Sequence, residues 1–148
     1  MIPTIGIQRY YFSYMLNDNS YISLKIIDTS GREKFRNANS NLYNEADCII
    51  LLYDITDRCS FNECQSYYSE KIKTLLKKNA FVLLVGNKSD LTEKRMVSFK
   101  EGKAFASQYK FIFMETSCHE KENAFKIFEK IIALNAQNIK MNEKKSKK

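Results

Sequence analysis

Proline occurs once and glycine four times in the 148 residues, too rarely for a fibrous or disordered chain. No apolar run approaches the ~18 residues that a membrane-spanning helix needs. The opening Met1-Ile2-Pro3-Thr4 has no basic segment followed by an apolar one, so no secretory signal is expected. The single histidine, His119, and the cysteines Cys48, Cys59, Cys64 and Cys118 lack the spacing of a zinc site. Cys48 lies inside an apolar run and reads as a small buried hydrophobe, and the four read as free thiols in a reducing cytosol. The excess of basic over acidic charge is small outside one segment. Of the net +7, residues 140–148 supply +4 through Lys140, Lys144, Lys145, Lys147 and Lys148 against Glu143, leaving +3 for the rest. Charge gathered on a tail gives no reason to expect nucleic acid.

What is present suits one soluble domain with a real core: 44% hydrophobic and 28% charged residues. Residues 8–16 are rich in Tyr and Phe, and residues 21–28 alternate, with Ile22, Leu24 and Ile26 on one side. Asn17-Asp18-Asn19 between them is a turn signal, so the pair is expected to form a hairpin. Three short apolar runs follow at residues 48–53 (CIILLY), 81–85 (FVLLV) and 111–114 (FIFM). Such runs suit strands buried on both faces of a parallel sheet. Helical spacing fills the gaps: residues 60–78; residues 98–109, with Ser98 as a cap ahead of Glu101; and residues 122–136, with Ala124, Phe125, Phe128, Ile131, Ile132 and Ala133 on one stripe. Alternating strand and helix implies an α/β fold with a mixed, mostly parallel sheet and flanking helices. Such folds bind ligands beyond the carboxyl ends of their strands. Residues after Asn138 read as a flexible, solvated, lysine-rich tail, giving a division into 1–138 and 139–148.

The segments beyond three strands are polar: Asp28-Thr29-Ser30-Gly31, Gly86-Asn87-Lys88-Ser89-Asp90 and Glu115-Thr116-Ser117-Cys118. Each alone is a weak motif, but three in order, each at a strand end, are specific. From Pro3-Thr4-Ile5-Gly6 to about Leu134 the chain resembles the Rab branch of the Ras-like small GTPases. Residues 28–35 (DTSGREKF) resemble the family's DTAGQERF, residues 86–91 (GNKSDL) match its usual wording, and Glu115-Thr116-Ser117 matches ETS. Cys118 and His119 stand where Ala-Lys is usual.

The resemblance implies GTP or GDP with Mg²⁺ as ligands. Asp90 would accept two donors of the guanine edge, Asn87 would meet the other edge, and the Lys88 stem would lie against the base. Ser117 would brace the loop, and the Cys118 backbone N–H would point at the guanine oxygen. Thr4 would bind Mg²⁺ directly, Asp28 would hold it through water, and the Gly31 N–H would meet the terminal phosphate. Against this stand blander readings: a plain polar turn at residues 87–90, a helix cap at Ser117, and a frayed terminal residue at Thr4.

Departures from the family pattern qualify the expectation. No GxxxxGK[ST] occurs, since the glycines stand only at positions 6, 31, 86 and 102. The resemblance therefore implies an incomplete, P-loop NTPase-like small-GTPase fold, N-terminally truncated, without its central first strand, phosphate loop and first helix. If four charge-assisted bonds are missing at ~1.5–3 kcal/mol each, affinity falls by roughly 10⁴ or more. Loss of the strand leaves a gap in the sheet or forces new pairing. Arg32 stands where the catalytic glutamine belongs; it has five donors and no acceptor for orienting water, and its bland reading is an exposed switch arginine. The tail ends Lys-Lys-Ser-Lys-Lys, so no prenyl anchor is expected, although its lysines suit an anionic membrane at ~1 kcal/mol each or plain solvation. Arg9 and Ile27 align with positions where relatives show Phe and Trp around the switches, leaving the identity of any Rab-type effector or regulator open. Three functional readings are compatible with these residues. They are a Rab-like switch of vesicle traffic, cytoplasmic or on the cytoplasmic face of intracellular membranes; a nucleotide-independent pseudo-GTPase module; and a non-functional fragment.

Overall fold

The computed structural model describes residues 7–16, 19–29, 40–119 and 121–146. By internal packing the chain divides into two units, Met1–Leu42 and Tyr43–Lys148.

The first unit holds the expected hairpin. Strand β1 (Ile7–Met15) pairs antiparallel with β2 (Tyr21–Thr29), in a register running from Ile7 opposite Thr29 to Met15 opposite Tyr21. Asn17 and Asp18 of the turn signal lie outside the described residues. Asn19 adopts the left-handed backbone that asparagine tolerates, with φ 61°, and its N–H reaches the Leu16 carbonyl at 3.0 Å. Arg9 and Ile27, singled out above, are direct cross-strand partners. No residue of either strand is buried.

The second unit is built on three parallel strands in the order β3 (Cys48–Asp54), β4 (Phe81–Asn87), β5 (Ile112–Glu115). A short helix, α1 (Ser40–Glu45), precedes them; with six residues it is too short to leave a periodic signal. Helix α2 (Arg58–Tyr67) follows β3 and opens on Asp57, whose carboxylate accepts the Cys59 N–H at 2.9 Å. It widens into a π-helical turn at Tyr68–Ile72 and ends at Lys73–Leu75. Helix α3 (Phe99–Tyr109) has the expected capping box: Ser98 Oγ accepts from Glu101 N–H, while Ser98 N–H donates to Glu101 Oε2 at 2.9 Å. Helix α4 (Lys121–Ser146) runs past Ala136 into the lysine-rich segment.

Two apolar layers sandwich β4. Ile49, Leu51 and Tyr53 of β3 pack with Val82 and Leu84, and with Phe61, Tyr68, Ile72 and Phe105 from α2, its π-helical continuation and α3. On the other face Leu83 and Val85 meet Ile127 and Ile131 of α4. Each fully buried aliphatic side chain contributes ~1.5–3 kcal/mol. Burial on both faces therefore holds for β4 but not for its neighbours. β3 alternates, with Ile50 38% and Leu52 55% exposed, because among the described residues it forms the edge of this sheet. In α4 the buried stripe is centred on Ile127 and Ile131; Phe125 is 68% exposed rather than in the core. Instead of one mixed sheet, the described strands form two, an antiparallel pair in the first unit and a parallel sheet of three in the second, and mixed α/β architecture of this kind is consistent with an incomplete small-GTPase fold.

Candidate functional site

The carboxyl ends of β3, β4 and β5 meet because the ladder places Asp54 opposite Asn87 and Gly86 opposite Glu115. Gly86 is required there. A Cβ would stand 2.9 Å from the Tyr53 hydroxyl and 3.0 Å from Ile55. Beyond the strands, Thr116 N–H donates to Gly86 O at 2.8 Å and Ser89 N–H to Thr116 O at 3.0 Å, tying two loops together. Lys88 turns the chain with φ 64°, a strained conformation for a residue with a Cβ, and Leu91 N–H closes the turn on Lys88 O at 2.9 Å. Behind the loops, Arg95 grips Glu115 through two parallel bonds of 2.7 and 2.8 Å and also donates to Val97 O. Glu115 of the ETS segment is thus committed to the scaffold.

Five of the residues expected at the guanine side are brought together, each with a side-chain bond. Asp90 is exposed, and a hydrogen bond from the fully buried Ser117 is the main reason its carboxyl is held below the usual carboxylate value. Desolvation opposes this, while the Asp90 backbone N–H and the charges of His119 and Lys88 add to it. Ser117 Oγ in turn accepts the His119 N–H at 3.1 Å. Asn87 Oδ1 accepts from the Cys118 thiol at 3.5 Å. Lys88 forms an ion pair with Asp54, whose other oxygen accepts Thr56 N–H at 2.8 Å and Thr56 Oγ1–H at 2.7 Å. Asp54 and Thr56 were not singled out as site residues from sequence. Their signal was the segment Tyr53-Asp54-Ile55-Thr56 at the end of β3, which also matches the usual wording of the Rab branch but carried no assigned role.

A planar base with adjacent N–H donors suits this arrangement. Asp90 offers ionised, acceptor-only oxygens at the surface, and the Lys88 side chain beside it is 49% exposed. The residues present therefore fit guanine. The phosphate side is described less fully. Thr4, Gly31 and Arg32 lie outside the described residues. Asp28 is exposed on β2 opposite Gln8, in the first unit. Among the described residues no group of three or more His, Cys, Asp or Glu side chains could hold a metal ion, and no helix is long and apolar enough to cross a membrane.

None of the four cysteines is in a disulfide. Cys48 is half-buried, and desolvation, followed by the charge of Asp47, pushes its thiol up to about 12.

The sequence model of the Ras family matches residues 1–137. Over 127 residues the chain is 42% identical to the Ras-related protein RABD2a of Arabidopsis thaliana and 39% identical to the Ras-related protein Rab-1A of Dictyostelium discoideum. Each match covers 86% of this chain and 62% of the relative. With the Ras-related protein Rab-3 of Caenorhabditis elegans it shares 37% over 133 residues, 90% of this chain and 60% of the relative. The chain thus spans about three fifths of the length of these curated relatives. A family match over nearly the whole chain, Rab relatives near 40% identity and an α/β core carrying the guanine-side motifs at its strand ends lead to one assignment: the chain belongs to the Ras family and is Rab-like within it.

Proposed function

We propose that this chain carries the guanine-reading part of a Rab-like GTP/GDP switch of vesicle traffic. The observation that supports this best is the grouping of Asn87, Lys88 and Asp90 at the end of β4, each with its own brace from a neighbouring strand end: Cys118, Asp54 and Ser117. Asp90 accepts the two donors of the guanine edge, Lys88 lies along the ring and Asn87 meets the opposite edge. The backbone N–H of Cys118 meets the guanine oxygen. Mg²⁺, when bound, neutralises phosphate charge, with Thr4 and Asp28 as its holders and Gly31 at the terminal phosphate. Arg32 has no acceptor with which to orient water, so hydrolysis is slow. The protein works at the cytoplasmic face of intracellular membranes with Rab-type effectors and regulators, and the lysines of residues 140–148 lean on anionic lipid.

A second reading, a nucleotide-independent interaction module, is favoured by one feature: no GxxxxGK[ST] occurs in the 148 residues. Titration of the 148-residue chain with fluorescent GDP and Mg²⁺, with folding followed by circular dichroism, separates the two. The first reading expects guanine-selective binding in the high micromolar range or weaker, weakened for guanine by Asp90→Asn and partly regained with xanthine, whose C2 carbonyl accepts where guanine's amino group donates. The cost to guanine is about tenfold or more. A cooperatively folded chain with no selectivity between guanine and adenine nucleotides favours the second.

A further inference from the structure

The Lys88–Asp54 pair is out of place as a stabilising device. Lys88 is half-exposed, and ion pairs of that kind contribute little to folding. Yet Asp54 is held with care. One carboxylate oxygen accepts two bonds from Thr56, at 2.8 and 2.7 Å, which leaves the other for Lys88. The ladder adds a second constraint. Asp54 stands opposite Asn87, and Ile55 N–H donates to Asn87 O at 3.0 Å, so the carboxylate is set one step from Lys88 across the strands. Lys88 itself leaves the strand with a left-handed backbone. Strand register, the Thr56 grip and the turn together fix both ends of the lysine side chain, its Cα and its ammonium, while nearly half of its surface stays open.

We propose that Asp54 is a positioning residue of the guanine subsite: with its carboxylate locked by Thr56, it holds the Lys88 ammonium and so lays the lysine stem out as the platform for the base. This rests on the nucleotide reading given above. A free lysine stem samples many rotamers, and ordering it on binding weakens affinity; a stem ordered beforehand avoids that loss. Asp54 touches no ligand and acts through Lys88.

Two measurements on the 148-residue chain test this. The first needs no nucleotide: the Lys88 ammonium is titrated by NMR after isotopic methylation of lysines, with Lys88→Arg to assign the signal. Asp54 raises the pKa of Lys88 chiefly through their hydrogen bond, so Asp54→Asn is expected to lower it; an unmoved titration overturns the contact. The second is the affinity for GDP, read by NMR in the same samples. Asp54→Asn is expected to weaken GDP by about three- to tenfold, and to have no further effect in a Lys88→Met background. Equal loss in both backgrounds means that Asp54 acts through the fold, which overturns the proposal. Thr56→Val, which removes one of the two bonds to Asp54, is expected to act in the same direction with smaller effect. It serves as the decisive variant if Asp54→Asn unfolds, and a wild-type affinity in it overturns the proposal. Absent GDP binding by the wild-type chain, with the lysine shift present, overturns the nucleotide reading and the role of Asp54 with it; a missing lysine shift overturns the Asp54 contact alone.

Discussion

The two units differ in what supports them. In the hairpin of the first unit, Tyr11, Phe12, Met15 and Tyr21 are each more than half exposed, and no strand residue is buried. In the second, β4 is covered on both faces, and Leu83, Leu84 and Val85 have no exposure at all. A two-stranded ribbon is at best marginal alone, whereas three strands with apolar layers on both faces sustain themselves. The guanine-side residues stand on the well-supported unit; Asp28, expected on the phosphate side, stands on the other. The residues proposed to read the base therefore stand on the unit with the packed core, and the one described residue proposed for the phosphate side stands on a ribbon with no buried residue.

The largest effect that would sharpen this contrast is in the core. Leu84→Ala is expected to cost ~2–5 kcal/mol in urea unfolding. Phe12→Ala, at a hairpin position 55% exposed, is expected to cost under ~1 kcal/mol. Comparable losses would break the comparison and mean that the hairpin is buried in solution.

A smaller loss is expected at Gly102. An added Cβ there would stand 2.6 Å from both the Phe113 ring and the Tyr53 hydroxyl. Gly102→Ala is expected to cost ~1–3 kcal/mol by overpacking. Tyr53 provides the control. Its hydroxyl is buried with no hydrogen-bond partner among the described residues, and burial raises its pKa, so Tyr53→Phe removes a group unsatisfied there. Stability is expected to change by less than ~1 kcal/mol, or to rise. In the double variant the hydroxyl no longer meets the added Cβ, and part of the Gly102→Ala loss is expected to return.

Much of this was legible in the sequence, for physical reasons that differ by residue. The runs at 48–53, 81–85 and 111–114 announced strands by their unbroken apolar character, although only β4 is buried on both faces, and Ser98 with Glu101 announced a helix start because that pair closes on itself locally. That Asn87, Lys88, Asp90 and Ser117 gather at strand ends was legible because polar residues of these types stand at or just beyond apolar runs. The braces were not, since Asp54–Lys88 and Arg95–Glu115 join segments far apart in sequence, and only strand register brings them together. Nor was the exposure of Phe125. It shares helical spacing with Phe128 and Ile132, and spacing alone does not say where the centre of a buried stripe falls. The division into two sheets depends on which strands find partners, a property of the whole arrangement that no local pattern records.

The smallest expected effect lies at the start of α3 and is best seen by pH. Glu101 is exposed, yet its carboxyl is brought from the ordinary 4.5 down to about 2, first by the hydrogen bond from Arg58 and then by the backbone and hydroxyl of Ser98. A carboxyl with a lowered folded-state pKa adds stability that is complete above its unfolded value and is lost as pH falls through the folded one. The contribution of Glu101 is thus expected in full above 4.5 and to fade as pH drops towards 2. Ser98→Ala removes one partner and the cap together, at a cost of ~1 kcal/mol near neutral pH. Because Ser98 is one of the groups lowering the Glu101 pKa, the variant is expected to lose less on acidification than the wild type, so the gap between the two narrows below pH 4.5. A gap that stays constant down to the acid limit would mean that the cap acts through the hydroxyl alone, with Glu101 free in solution. The same measurement on a hairpin variant such as Phe12→Ala is expected to show no such narrowing, because the box belongs to the unit that carries the core.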